Sequence, residues 1–100
     1  MPDWKTLRPG DTIRILRVPQ ADLDQREREL RERKVEDPGM TANAIERLIE
    51  TDPVVTIDRI DEYGFPWFDC KLRDELGREE QHSLAIYDDE SWELVATGRR

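Results

Sequence analysis

The sequence has a single cysteine, Cys70, five scattered glycines and no long apolar run. One cysteine excludes a disulfide within the chain and is typical of a reducing compartment, so we expect a cytoplasmic protein. The glycines show neither the Gly-x-Gly-x-x-Gly nor the Walker spacing of phosphate-binding loops. No apolar run approaches about 18 residues, and no basic segment followed by an apolar one opens the chain. The sequence therefore predicts neither a membrane span nor a signal peptide.

Apolar side chains are scarce as well, at 36% of the residues, whereas charged residues make up 40%. Soluble domains have about 25% charged residues, so much of this chain must face water. The apolar residues are nevertheless clustered, at 12–18 and again at 43–95. A chain that concentrates its apolar residues in this way can bury them. We therefore expect one folded domain over residues 1–100, with a small core.

Basic residues are outnumbered, because 16 lysines and arginines stand against 24 aspartates and glutamates, a net charge of −8. Phosphate backbones and anionic lipids repel such a chain, and basic proteins attract it. The composition thus predicts a protein partner with a basic surface, no nucleic acid and no membrane. The arginines between residues 26 and 33 keep nucleic-acid binding open as an alternative.

Two stretches alternate between apolar and polar residues, as β-strands do. The first covers about residues 12–18. The second covers about residues 54–95 and divides into four strands, with a bulge or bend near Arg59 where the alternation changes phase. The side chains predicted to point inward in this second stretch are Phe68, Cys70, Leu72, Leu84 and Ile86.

A helical insertion at about residues 20–51 separates the first strand from the second. In its first half, opposite charges recur four residues apart, as in Asp22 and Arg26, a spacing that stabilises an isolated helix. Few apolar residues accompany them, so we expect a solvated helix, the alternative being an arm that binds a partner. In the second half the apolar residues of 42–49 share one face and predict a helix that packs on the core.

These five strands, with the turn Pro9-Gly10-Asp11 before the first and a three-strand meander after the helices, resemble an SH3-like barrel. The resemblance covers residues 7–18 and 52–95 and concerns the fold. It implies an α+β protein in which a small, strongly bent, antiparallel five-stranded sheet carries two helices inserted between strands 1 and 2. No aromatic pattern for binding polyproline is present, so no site residue follows from the resemblance.

The candidate binding surface combines aromatic and acidic side chains. Trp67 shares the outward face of its strand with Asp69, and a ring beside carboxylates can hold a cation or a peptide. The alternative is that one of the helices packs over this face and covers Trp67. Tyr63 belongs to the same surface, in the turn before the strand. A second acidic recognition edge is the turn formed by Asp88, Asp89 and Glu90.

Residues able to support catalysis are few. His82 is the only histidine, which is too few ligands for a zinc site, so we predict no metal and no other cofactor. A Cys70–His82 pair on neighbouring strands has the groups of a nucleophile and its base, but a thiol among buried apolar residues is inert. The carboxylates of Asp58, Asp61 and Glu62 suit a divalent cation, although solvated turns produce such groups too.

The sequence therefore predicts a non-catalytic interaction module, and not an enzyme, that binds a protein with a basic surface. A sharper version is an inhibitor or immunity protein that caps a basic enzyme such as a nuclease by mimicking its anionic substrate. The alternative from a different class is a metal-dependent hydrolase built on the carboxylates.

Overall fold

A computed structural model gives the structure of residues 4–73 and 76–98. Across these residues the chain forms two α-helices and six β-strands, arranged as two three-stranded antiparallel sheets. The protein thus belongs to the α+β class that the sequence predicts. The elements, in chain order, are a 3₁₀ turn at Trp4–Thr6, β1 (Thr12–Ile15), α1 (Gln20–Glu32), α2 (Met40–Thr51), β2 (Val54–Thr56), β3 (Arg59–Ile60), β4 (Pro66–Arg73), β5 (Glu79–Ala85) and β6 (Trp92–Ala96).

The prediction of a single five-stranded barrel is wrong, because the described strands form two separate sheets that do not close into a barrel. The first sheet has the order β2-β1-β6 and the second the order β3-β4-β5. The strand predicted with a bend near Arg59 is divided into β2 and β3. Between them, the N–H of Ile57 donates to the carbonyl of Asp11 at 2.8 Å, and the N–H of Asp58 to that of Trp67 at 2.7 Å. The chain leaves one sheet and enters the other at this point.

Both helices lie between β1 and β2, as predicted. α1 is joined to α2 by Arg26, whose guanidinium donates to Asn43 Oδ1 at 2.9 Å and to Glu46. Arg26 therefore bonds to the next helix instead of pairing with Asp22, which is buried. None of the helices in the described ranges combines the length and the apolarity needed to cross a bilayer. α2 packs on the core through Ala42, Ala44, Ile45 and Leu48.

The core lies between α2 and the two sheets. Of the residues predicted to point inward, Cys70 is half-buried, and the others are buried: Phe68, Leu72, Leu84 and Ile86. Trp92 is buried with them, and its indole N–H donates to the carbonyl of Tyr87 at 2.9 Å. Since successive side chains of a strand point to opposite faces, the second sheet has an outer face turned away from this core.

Candidate functional site

The outer face of the second sheet carries the aromatic and acidic side chains that the sequence singles out. Antiparallel pairing places Trp67 of β4 opposite Arg59 of β3 and opposite Ala85 of β5. Two residues further along β4, Asp69 stands opposite Ser83. Because side chains at alternate positions share a face, Trp67 and Asp69 are neighbours there, as predicted from their spacing.

A side chain of the protein itself lies over the Trp67 ring. The guanidinium carbon of Arg59 lies 5.1 Å from the ring centroid, the geometry of a cation–π contact. The ring is half-buried. The site that the sequence predicts for a cationic ligand thus holds a cation that belongs to the protein itself.

Asp61 fixes the orientation of the Trp67 indole. The indole N–H donates to Asp61 Oδ2 at 2.8 Å, and the backbone N–H groups of Tyr63 and Phe65 each donate to Oδ1 at 2.9 Å. These hydrogen bonds, that from Trp67 above all, hold the pKa of Asp61 below its ordinary value of 3.8. Asp61 is therefore a carboxylate at neutral pH, and it ties the turn after β3 to the ring on β4.

Two carboxylates flank the guanidinium of Arg59. Arg59 Nη1 lies 3.0 Å from Asp58 Oδ2 and 3.6 Å from Asp69 Oδ1. Asp69 is itself oriented by the hydroxyl of Ser83, which donates to Asp69 Oδ1. We call this group, Asp58, Arg59, Trp67 and Asp69, the Trp67 site. Its geometry suits a cation that lies over an aromatic ring with carboxylates close by.

Tyr63 lies next to this group, in the turn that Asp61 organises. Its side chain is 78% exposed, although its backbone N–H is bonded to Asp61. The turn requires a positive φ of 87° at Gly64, which glycine adopts without strain. Tyr63 is thus held by its backbone in the turn between β3 and β4, with its ring in solvent.

The acidic turn of residues 88–90 has its own set of contacts. Asp89 Oδ1 accepts hydrogen bonds from the N–H of Ser91, at 2.9 Å, and from its hydroxyl. Glu90 lies 3.9 Å from the guanidinium of Arg17, and Asp88 is exposed. The ion pair of Glu90 thus connects this turn to the segment before α1. Of the six predicted site residues, Trp67 and Asp69 share one sheet face, Tyr63 lies in the turn before β4, and the other three form this acidic turn.

Asp22 adds a buried carboxyl beside that turn, which sequence reasoning missed. It is 5% exposed in the first turn of α1. Burial, and secondly the charge of Asp89, raise the pKa of Asp22 above 3.8. Burial and the charges of Asp22 and Asp89 also raise the pKa of Tyr87 above 10.0. The sequence gives no signal for this cluster, because it depends on how α1 packs against residues far along the chain.

The Cys70–His82 pair is adjacent in space, since the two residues are cross-strand partners in β4 and β5. Burial, and secondly the charge of Asp69, raise the pKa of the Cys70 thiol above its ordinary 9.0. The thiol is therefore protonated at neutral pH and lacks the nucleophilicity of a thiolate. The two residues are thus adjacent, and burial disfavours the thiolate form of Cys70.

Two of the three carboxylates proposed as metal ligands, Asp58 and Asp61, accept hydrogen bonds from protein groups. Asp58 pairs with Arg59, and Asp61 accepts from Trp67 and from two backbone N–H groups. Within residues 4–73 and 76–98, no three His, Cys, Asp or Glu side chains are grouped as a metal ion requires. These carboxylates act in the described structure as partners of protein groups.

A cleft of about 600 Å³ between α2 and the far end of the β4–β5 hairpin was not predicted. Arg47 links its two walls, because its guanidinium donates to the carbonyl of Arg73 at 2.9 Å and lies 3.9 Å from Glu80. Four acidic and two basic side chains line the cleft, so its lining is net negative. Its charged lining residues are Asp37, Glu46, Arg47, Glu50, Arg78 and Glu80.

Comparisons of the chain with known protein families, curated proteins and solved structures found no match. The SH3-like resemblance therefore stays a prediction from the sequence. A fold does not define a function, so the function must be argued from the geometry of the Trp67 site.

Proposed function

We propose that the protein is a non-catalytic interaction module that binds the basic surface of a partner protein through the outer face of its second sheet. The arrangement of the Trp67 site supports this proposal: the Arg59 guanidinium lies over the ring, and the carboxylates of Asp58 and Asp69 lie beside that guanidinium. A ring and carboxylates so arranged attract cationic side chains, which basic proteins offer in number.

The charge of the chain supports the same proposal. A net charge of −8 accelerates the encounter with a cationic partner and makes binding sensitive to salt. Tyr63 extends the surface beyond Trp67, and large aromatic residues are enriched at protein interfaces. An inhibitor that caps a basic enzyme is the narrower form of this proposal. An inhibitor of this kind differs from a general interaction module in binding one partner tightly.

The proposal is tested by affinity capture from a native lysate, at low and high salt and after nuclease treatment, read by mass spectrometry. The wild-type protein is compared with Trp67→Leu, which keeps an apolar side chain on β4 but removes the ring. Asp69→Asn is compared with Asp37→Asn, an exposed position outside the Trp67 site. Both of these variants remove one negative charge, so they separate a local contact from the effect of net charge.

We expect the wild-type protein to retain a basic protein that is released at high salt and is indifferent to nuclease. Trp67→Leu should reduce this capture by about tenfold or more, as for an interface hot spot. Asp69→Asn should reduce it more than Asp37→Asn. Equal capture by all of the variants would exclude the outer face as the site, and empty capture from folded wild-type protein would exclude a stable partner.

A further inference from the structure

The guanidinium of Arg59 occupies the position in which the Trp67 site would hold a ligand. It lies 5.1 Å from the ring centroid, 3.0 Å from Asp58 and 3.6 Å from Asp69. The three interactions that define a guanidinium-binding site, one with the ring and two with carboxylates, are thus all made by one side chain of the chain itself.

Two of the three groups around Arg59 have hydrogen bonds of their own. Asp61 fixes the indole through its N–H, and the Ser83 hydroxyl donates to Asp69, so the positions of the ring and of Asp69 do not depend on Arg59. The Arg59 side chain is 46% exposed, and the two carboxylates that it pairs with are exposed to a similar degree. Exposed ion pairs contribute little, because water competes for both charges. Arg59 can therefore leave while the ring and Asp69 keep their positions.

We propose that Arg59 is an internal occupant of a guanidinium-binding site and that an arginine side chain of the partner protein displaces it. This inference rests on the proposed function and names the chemical group that the Trp67 site recognises. Arginine fits better than lysine, because a guanidinium is more weakly hydrated than an ammonium and lies more readily over an aromatic ring, as Arg59 does here with Nη1 near both Asp58 and Asp69. The internal arginine lowers the apparent affinity, since the incoming side chain must compete with it.

The test uses a capped hexa-arginine peptide as the probe. Its binding to the wild-type protein and to Arg59→Gln is followed at two salt concentrations through the indole N–H signal of Trp67 in ¹H–¹⁵N spectra. The chain has three tryptophans, and the signal of Trp67 is the one missing from Trp67→Leu. Dispersed spectra confirm that each variant is folded.

Arg14→Gln is the matched control for Arg59→Gln. The Arg14 side chain is 49% exposed and lies 4.0 Å from Glu93 in the first sheet, so the same charge is removed from a similar setting. Arg59→Lys provides a second variant at the site, in which an ammonium replaces the planar cation. The variants at position 59 thus change the side chain that lies over the Trp67 ring, whereas the control Arg14→Gln changes only the net charge.

We expect Arg59→Gln to bind the peptide about two- to fivefold more tightly than Arg14→Gln, the range that a cation–π contact at an exposed site supplies. Arg59→Lys should lie between Arg59→Gln and the wild-type protein. In the double variant Arg59→Gln/Trp67→Leu, the loss of Arg59 should no longer increase the affinity for the peptide relative to Trp67→Leu. Equal gains in Arg59→Gln and Arg14→Gln would overturn the inference and leave the acidic interaction module standing.

The failures of the two proposals are distinguishable. If no variant binds the peptide while capture retains a basic protein through Trp67, the guanidinium site is wrong and the proposed function holds. If Arg59→Gln binds the peptide and capture from folded protein is empty, the site exists and the proposed protein partner does not.

Discussion

Cys70 and His82 are cross-strand partners, yet the imidazole Nε2 lies 3.4 Å from Glu80 Oε2. The ring nitrogen is thus close to a carboxylate on its own strand, and the neighbouring thiol has a pKa raised chiefly by burial. A raised pKa leaves little thiolate near pH 8, which is the form that reacts with disulfides.

We therefore expect Cys70 to react with a disulfide reagent at pH 8 about tenfold more slowly in the folded protein than in 6 M urea. His82→Gln should leave the rate in the folded protein nearly unchanged. A fast reaction that depends on His82 would show that the pair is an activated dyad, contrary to the structure.

Asp61 should contribute to stability in a pH-dependent way. Its pKa is lowered in the folded protein, chiefly by the hydrogen bond from Trp67, so its contribution is present above pH 3.8 and is lost as the pH falls through the lowered pKa. Asp61→Asn should therefore melt below the wild-type protein at pH 7, and this difference should narrow below pH 3.8. Thermal melts between pH 2.5 and pH 7 measure it, with Asp37→Asn as control. A difference that does not change with pH would contradict the assignment.

Asp22 should have the opposite effect on stability as the pH rises. Its pKa is raised by burial and by Asp89, so the folded state holds the proton more tightly and loses stability as the pH rises above 3.8 through the raised pKa. Asp22→Asn should melt above the wild-type protein at pH 7, with a gain that shrinks toward pH 3. The exposed Asp24→Asn on the same helix is the control. A lower melting point for Asp22→Asn at pH 7 would mean that the α1 N-terminus stabilises the carboxylate more than burial penalises it.

Gly39 should be the least replaceable of the turn glycines because it meets Arg26. Its φ is 73°, and an added Cβ would overlap Arg26 Cγ and Cδ, the side chain that joins α1 to α2. Gly64 has a φ of 87° and no neighbour within 4 Å of such a Cβ. Gly64→Ala therefore measures the backbone strain alone, without a steric clash. Gly64→Ala should cost about 1 kcal/mol and Gly39→Ala about 2 kcal/mol or more, measured by urea unfolding. Equal costs would show that Arg26 moves aside freely.

Asp11 should be important for stability although it is charged. It is 1% exposed, and its two carboxylate oxygens accept from the N–H groups of Arg8, at 2.9 Å, and of Gly98, at 3.0 Å. Asp11→Ala leaves these donors without their acceptor and should cost about 1–3 kcal/mol of unfolding free energy. Asp88→Ala, at an exposed position, should change it by less than about 0.5 kcal/mol. Similar small effects for both would show that water replaces the carboxylate.

The sequence predicts the fold where local patterns decide it. The period of two places Phe68 and Leu84 inward, and the apolar face of residues 42–49 packs on the core. It does not predict the division of the strand around Ile57, because a change of phase describes a bulge as well as a crossing between sheets. The choice depends on partners far away in the chain, which local alternation does not specify.

For the candidate site too, the sequence predicts what local alternation decides and not what depends on strand pairing. Alternation alone makes Trp67 and Asp69 neighbours on an outward face. The position of Arg59 over the ring depends on the pairing of β3 with β4, which the Asp61 turn sets. An aspartate two residues before a Tyr-Gly step is a signal for such a turn, since aspartate side chains often accept from the backbone two residues on.

The pairing of β1 with β6 has a consequence for how the protein is made. Ile13 pairs with Leu94, so β1 acquires its second neighbour only from a segment near the other end of this sequence. Contacts between distant segments form late, because closing a long loop costs entropy before the contact contributes anything. During synthesis the β3–β4–β5 meander can pair as soon as residue 85 has emerged, whereas β1 must wait for β6. We expect the first sheet to be completed after the second.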